Sequence, residues 1–230
     1  MNILNRVLAG VIVGMIIVMG MGGAVAKGGK WSSPDAEVMV IDSNEQTHLF
    51  FMREEEKLAR DVYLTIGTMY PNAAVFGKID DSEQRHTMAV KAKIEKYGYE
   101  DPNTNDNIGV YTGEDYGGYF KGKYYEFIDR AAINDLEALY VGAYIEELDV
   151  MDINQCPAVV VEMDNGINDV TECGKIYTKN PDIIRLYGSL LDGSRNHLQA
   201  YVRNIEKHIG EGNYQAQVLT QDQVNKLLGR

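Results

Sequence analysis

Glu83 and His86 stand three residues apart in Ser82-Glu83-Gln84-Arg85-His86, so on a helix both side chains leave one face a turn apart. A carboxylate and an imidazole placed this way can grip a hard metal ion if another carboxylate arrives from a neighbouring helix. The segment Glu54-Glu55-Glu56-Lys57-Leu58-Ala59-Arg60-Asp61-Val62-Tyr63 offers that acid. Glu56 shares a helical stripe with Met52, Ala59 and Tyr63, and an acid on an otherwise apolar stripe is the informative pattern. Consecutive glutamates point in different directions, so at most two of these three should face a core, and Glu54 reads as solvated. Further along come Glu146-Glu147 and, in Gly193-Ser194-Arg195-Asn196-His197-Leu198, an inward His197 on the stripe of Leu190, Ser194 and Tyr201.

Brought together in a core, these charges are costly unless a cation neutralises them. The candidate ligand set is therefore Glu56, Glu83, His86, Glu146, Glu147 and His197. Adjacent glutamates diverge by about 100° on a helix, so only one of Glu146 and Glu147 should reach a metal. Glu146 is favoured, because Asp149 one turn on completes a carboxylate pair and could support the site. Iron, as a pair or a single ion, and manganese suit such ligands equally. The two halves are not equivalent: Ser194 stands where an acid three residues before His197 would complete a symmetric set. Water, the spare glutamate of the third helix, or a weakly held metal position could make up the difference. His48 and His208 have no comparable company and read as surface residues.

The elements that must position these residues are helical. Apolar spacing predicts a first helix over 43–69, with Ser43 and Gln46 as a capping box and Tyr70-Pro71-Asn72 as the stop. A second helix runs from Asp80 to Tyr97 and closes at Gly98. The short link between them favours antiparallel neighbours. Residues 98–118 are rich in Gly, Asn, Asp and Tyr without a helical period, and fit a long crossover. A short helix over 119–132 follows. Asn134 with Glu137 opens a third long helix over 134–151, and Asn180-Pro181 starts a fourth that ends at Gly210. The segment 154–179 is irregular, with Val159-Val160-Val161 before Asp164-Asn165-Gly166 suggesting a small hairpin. A terminal helix begins at Thr220. The expected class is all-α: a four-helix bundle of the ferritin-like kind, with the long crossover between its second and third helices and short accessory helices.

At the N-terminus, Arg6, the apolar run Leu8 to Val18 and the small residues Ala24-Val25-Ala26 read as an export signal over 1–26, cleaved after Ala26. The run is short and glycine-rich for a membrane span; the rival reading is an uncleaved N-terminal anchor. Either places the rest outside the cytoplasm, periplasmic or extracellular. Residues 27–42 form a flexible leader, and 43–230 a single helical domain, large enough for a substantial core. Removal of the signal takes away Arg6 and no acid, moving the net charge from −12 to −13. Such acidity argues against nucleic acid and anionic membrane surfaces as partners. Metal ions, a small-molecule oxidant and a second copy in a homodimer remain. Cys156 and Cys173 are the only cysteines, and an oxidising compartment favours pairing them.

The four ordered segments 54–63, 82–86, 141–150 (Val141-Gly142-Ala143-Tyr144-Ile145-Glu146-Glu147-Leu148-Asp149-Val150) and 193–198 resemble the ferritin-like family catalogued as domain of unknown function 2202. The resemblance covers about residues 45–228. More distantly, Glu56-x-x-Ala59-x-x-x-Tyr63 with Glu83-x-x-His86 is similar to the first two helices of rubrerythrins. The resemblance implies that Glu56, Glu83 and His86 are iron ligands. Ser194 departs from a symmetric di-iron pattern, and no rubredoxin-like cysteine set accompanies the bundle. Two functions follow: a di-iron oxidase or peroxidase acting on ferrous ion, peroxide or a small organic molecule, or a metal-binding or structural envelope protein without turnover.

Overall fold

A computed structural model describes residues 40–230, apart from residue 164 and the side chains of residues 78 and 80. The expected export signal and all but the end of the leader lie outside the described residues. Seven helices make up the described chain, α1 (Ser43–Met69), α2 (Phe76–Lys96), α3 (Gly117–Ala131), α4 (Asp135–Asn154), α5 (Ala158–Glu162), α6 (Pro181–Ile209) and α7 (Gln221–Leu228), with no strand among these residues. The class is all-α. None of the described helices is long and apolar enough to cross a membrane.

The four long helices pack as two pairs, α1 with α2 and α4 with α6, and the pairs meet through α1 against α4 and α2 against α6. The expected third and fourth long helices are thus α4 and α6. The link from α2 to α4 is long, as expected, and carries α3, which lies against both α1 and α4. Helix starts follow local chemistry. Asn134 accepts from the Glu137 backbone N–H at 2.8 Å, and Asn180 caps α6 with Pro181 in its first turn. Thr220 and Gln223 form a reciprocal box at α7. At α1 the cap is Asp42, not Ser43: its carboxylate accepts from Glu45 N while Glu45 reaches back to Asp42 N. Ile41 is buried beside it, so the packed domain starts two residues before the expected boundary.

α1 is buried on every side, which its charge pattern conceals. Arg53, Glu54, Glu55, Glu56, Lys57, Arg60 and Asp61 are all buried. Glu54 is therefore not solvated, and all three consecutive glutamates are inside. On one face the link between α2 and α3 closes over the helix and supplies partners. Arg53 reaches Thr87 Oγ1 at 2.5 Å, Asp101 at 3.0 Å and Asp106 at 2.8 Å. Gly113 N–H donates to Glu54 at 2.8 Å, and Lys57 donates to Asp61 and to the Asn107 carbonyl. Arg60 donates to Asp61 Oδ1 at 2.6 Å and to the Asp106 carbonyl at 2.8 Å. These charges tolerate burial because each has an opposite charge or a hydrogen bond.

His48 is buried, contrary to its surface reading, and the cause is shape: it fits between Tyr187 OH (2.6 Å) and the Asp152 carbonyl (2.8 Å). Burial pushes its pKa down to about 4. The Val159–Val161 run forms the short helix α5 in place of a hairpin, with Val160 packed into the core. Cys156 and Cys173 are bonded, fastening the end of α4 to the segment before α6. Opening that loop, with its separation of 17 residues, should cost about 3 kcal/mol. The paired Cys156→Ser and Cys173→Ser variant should show it as a lower urea midpoint than the oxidised protein; equal midpoints would show that the bridge contributes nothing.

Candidate metal centre

Four helices each send a side chain to one point. Glu56 comes from α1, Glu83 and His86 from α2, Glu146 from α4 and His197 from α6, and all five groups are buried or nearly so. Glu83 is the hub. Its Oε2 lies 3.0 Å from His86 Nδ1 and its Oε1 lies 2.7 Å from His197 Nδ1. Each imidazole also faces a second carboxylate at 3.4 Å, His86 facing Glu56 Oε2 and His197 facing Glu146 Oε1. The two rings stand 5.7 Å apart, centroid to centroid. Two overlapping triads result, Glu56–Glu83–His86 and Glu83–Glu146–His197, each with its ligand atoms within 4.8 Å of one another.

The electrostatics show what the cluster lacks. Burial by itself would raise the Glu83 pKa, yet the His197 and His86 imidazoles set against its two oxygens outweigh it and hold the group down to about 2. Burial would lower both imidazoles, yet the carboxylates raise His86 to about 11 and His197 to about 10. Glu56 is pushed up to about 7 by burial, and Glu146 is raised for the same reason. The pocket stabilises positive charge on its imidazoles, and a metal cation supplies such charge directly. Glu56 Oε1 and Glu146 Oε2 are buried and have no hydrogen-bond partner among the described residues. Buried carboxylate oxygens left this way are expensive, and they fit the donor set of a hard cation.

Positioning comes from neighbours. Tyr63 OH donates to Glu146 Oε1 at 2.6 Å, fixing that carboxylate from one side. Its ring packs against Tyr201, with centroids 5.4 Å apart. Tyr201 in turn fits because position 142 has no side chain: a Cβ on Gly142 would stand 2.5 Å from its Cζ. Gly193 does the same for His86. A Cβ there would lie 2.6 Å from His86 Nε2 and closer still to Cε1, so α6 can approach α2 only with glycine at this position.

The structure brings together Glu56, Glu83, His86, Glu146 and His197 and leaves out Glu147. Glu147 turns the opposite way on α4 and accepts from Tyr214 OH (2.6 Å) and from the backbone N–H groups of Gln217, Val218 and Leu219 (2.9, 2.7 and 2.9 Å). It anchors the chain before α7, and the 100° divergence between neighbouring helical residues is the physical reason only its neighbour reaches the site. Ser194 is buried, and its hydroxyl donates to the Leu190 carbonyl at 3.2 Å, one turn back. The spare glutamate does not replace the missing acid. Glu83 faces both imidazoles instead. Gly193 went unremarked in the sequence, although its place one turn before His197 was a usable hint. The regular spacing of Glu146, Asp149 and Asp152 was another.

A family model described as "Uncharacterized protein domain (DUF2202)" matches residues 45–229. This chain is a DUF2202 protein. A relative, the uncharacterized protein MJ0754 of Methanocaldococcus jannaschii, is 36% identical over 188 residues, covering 82% of this chain and 88% of the relative. The crystal structure of hypothetical protein MJ0754 from Methanococcus jannaschii DSM 2661 superposes on this DUF2202 protein with a TM-score of 0.67 at 34% identity, covering 84% of this chain and 95% of that one.

Gly193→Ala should displace His86 and lower Mn²⁺ affinity by about tenfold or more, as losses of ligand support do, with helicity retained by far-UV circular dichroism. Gly188→Ala on the same helix, where a Cβ meets nothing within 4 Å, is the control and should leave affinity unchanged. Equal affinity in both variants would remove Gly193 from the centre's support.

Proposed function

We propose that this DUF2202 protein is a ferritin-like metalloprotein that holds a pair of iron or manganese ions between its two helix pairs. The observation that carries this reading is Glu83, which presents one oxygen to each of two imidazoles at 3.0 and 2.7 Å. A carboxylate facing two ligand sets at once is what a bridged pair of cations requires. Glu56 and His86 would complete one position, and Glu146 and His197 the other. Bound there, such ions supply redox chemistry toward dioxygen or peroxide.

The protein's own contribution is arrangement. Tyr63 holds Glu146 in place and offers a proton 2.6 Å from it. The imidazoles are the outer rim: 13% of the His86 side chain and 10% of that of His197 are exposed, while Glu56 and Glu146 are fully buried. A reactant would therefore approach over the imidazole edges at the α2–α6 seam. The bonded Cys156–Cys173 pair supports export into an oxidising compartment, periplasmic or extracellular, after cleavage near Ala26. A homodimer is carried in the same reading.

A second reading, a metal-binding or envelope protein without turnover, is favoured by one residue. Ser194 supplies no carboxylate to the second position and spends its hydroxyl on its own helix. Stable metal without peroxide consumption or ferrous oxidation would decide for it.

Metal analysis of protein purified without chelator should find about two ions per chain if each triad holds one. Glu83→Ala should lose both, whereas His86→Ala and His197→Ala should each weaken one position more than the other; Glu56→Ala should act like His86→Ala. Unchanged metal content in Glu83→Ala would end the assignment. Proton release gives an independent check. In metal-free protein both imidazoles keep protons well above neutrality, because their folded values lie near 11 and 10. A cation must displace those protons, so affinity should rise steadily from pH 6 to pH 9. Calorimetry in buffers of different ionisation enthalpy counts the protons released, and a count of zero would contradict ligation by His86 and His197.

A further inference from the structure

Away from the centre, α4, α6 and α7 border a cleft of about 360 Å³. Its floor is apolar: Val150 and Met151 of α4, Leu219 from the segment before α7, and Leu227 of α7. Arg195 of α6 and Lys226 of α7 line it too, and both are exposed. No carboxylate among the described residues lines it.

The walls are held in place by contacts of their own. Val224 is fully buried and seats α7 on the domain, while Gln199 Nε2 of α6 donates to the Leu227 carbonyl at 2.8 Å. Leu219 N–H donates to Glu147 Oε2 at 2.9 Å. Two amides on the cleft are engaged: Asn154 Nδ2 donates to the Val150 carbonyl at 2.6 Å, and Gln223 Oε1 accepts from Thr220 N and Oγ1 at 2.9 and 2.8 Å. A preformed apolar concavity with a few polar groups is the usual form of a small-molecule site. The two cations are the groups left to meet a ligand. The chain has 34 acidic residues against 22 basic ones, and Arg53, Lys57, Arg60, Arg130 and Arg230 are each held by a carboxylate. Neither Arg195 nor Lys226 makes an ion pair or a side-chain hydrogen bond with a described residue.

We propose that this cleft binds a small amphipathic anion, a carboxylate on an unbranched apolar tail. The planar fork of Arg195 matches a carboxylate through two parallel hydrogen bonds, and Lys226 adds a compact charge. The tail lies on the apolar floor and releases the water that covers it. Volume sets the size: at about 30 Å³ per water, roughly a dozen waters give way to a tail of about eight carbons. None of the lining residues belongs to the metal centre, so this inference stands or falls separately from the metal reading.

Titration calorimetry of octanoate into the purified protein, at two temperatures because burial of the tail makes the enthalpy temperature-dependent, tests it. One octanoate should bind per chain. Acetate lacks the tail and 1-octanol the charge, so each should bind at least about tenfold more weakly. Arg195→Ala and Lys226→Ala should each weaken octanoate by about tenfold, the scale of a lost hydrogen bond to a charged group. Both side chains are exposed, so the variants keep the fold. Arg203→Ala removes a cation from α6 outside the cleft and should change nothing. Equal weakening by Arg203→Ala would overturn the proposal, as would acetate or 1-octanol binding as tightly as octanoate. No saturable heat at either temperature would overturn it as well. Sedimentation showing a dimer that Arg195→Ala dissociates would give the cleft to a second copy of the chain instead.

Discussion

Uncompensated negative charge at the heart of the molecule is the constraint on which the rest depends. Glu55, Glu56, Glu83, Glu146 and Asp149 are all buried between the helix pairs. Among the described residues, the cationic groups paired with them are the imidazoles of His86 and His197. Burying carboxylates costs several kcal/mol each unless they are paired, so these acids either meet positive charge or hold protons, and burial raises Glu55, Glu56, Glu146 and Asp149 accordingly. The pKa pattern expresses the same demand: the imidazoles are driven up and the hub carboxylate down. A core with this charge balance suits the uptake of a cation.

The surrounding elements can be understood as answers to that demand. α1 is clasped from behind by the long link between α2 and α3, which neutralises the charges on that face and leaves the glutamates to the other. Arg53 ties that clasp to α2 through Thr87, the residue next to His86. Glycines at 142 and 193 let α4 and α6 come near enough for Tyr201 and His86 to sit where they do.

The missing acid at 194 has a structural answer the sequence did not suggest. A symmetric arrangement would give each helix pair its own glutamate before the histidine. Here the α2 glutamate alone faces both imidazoles, while Ser194 hydrogen-bonds within α6. Glu147, the apparent reserve, is held by the segment before α7, which follows it by some 70 residues. Nothing local to Glu147 announces that engagement.

Periodicity and capping residues determined the helices: α1 spans 43–69 as its apolar spacing required, and Asn134, Asn180 and Thr220 start the helices they precede. The ligand types were also legible, since an acid on an apolar stripe and a Glu-x-x-His pair carry their meaning in the chain itself. Burial all round a charged helix was not legible, because the partners of Arg53, Glu54, Lys57 and Arg60 come mostly from segments 24 to 59 residues away. For the same reason His48 and Glu54 read as surface groups. Choosing Glu146 over Glu147, and making Glu83 the hub, depended on how four helices rotate against one another. Helical spacing fixes which side chains share a face; only packing decides which face turns inward, and that is a property of the whole chain.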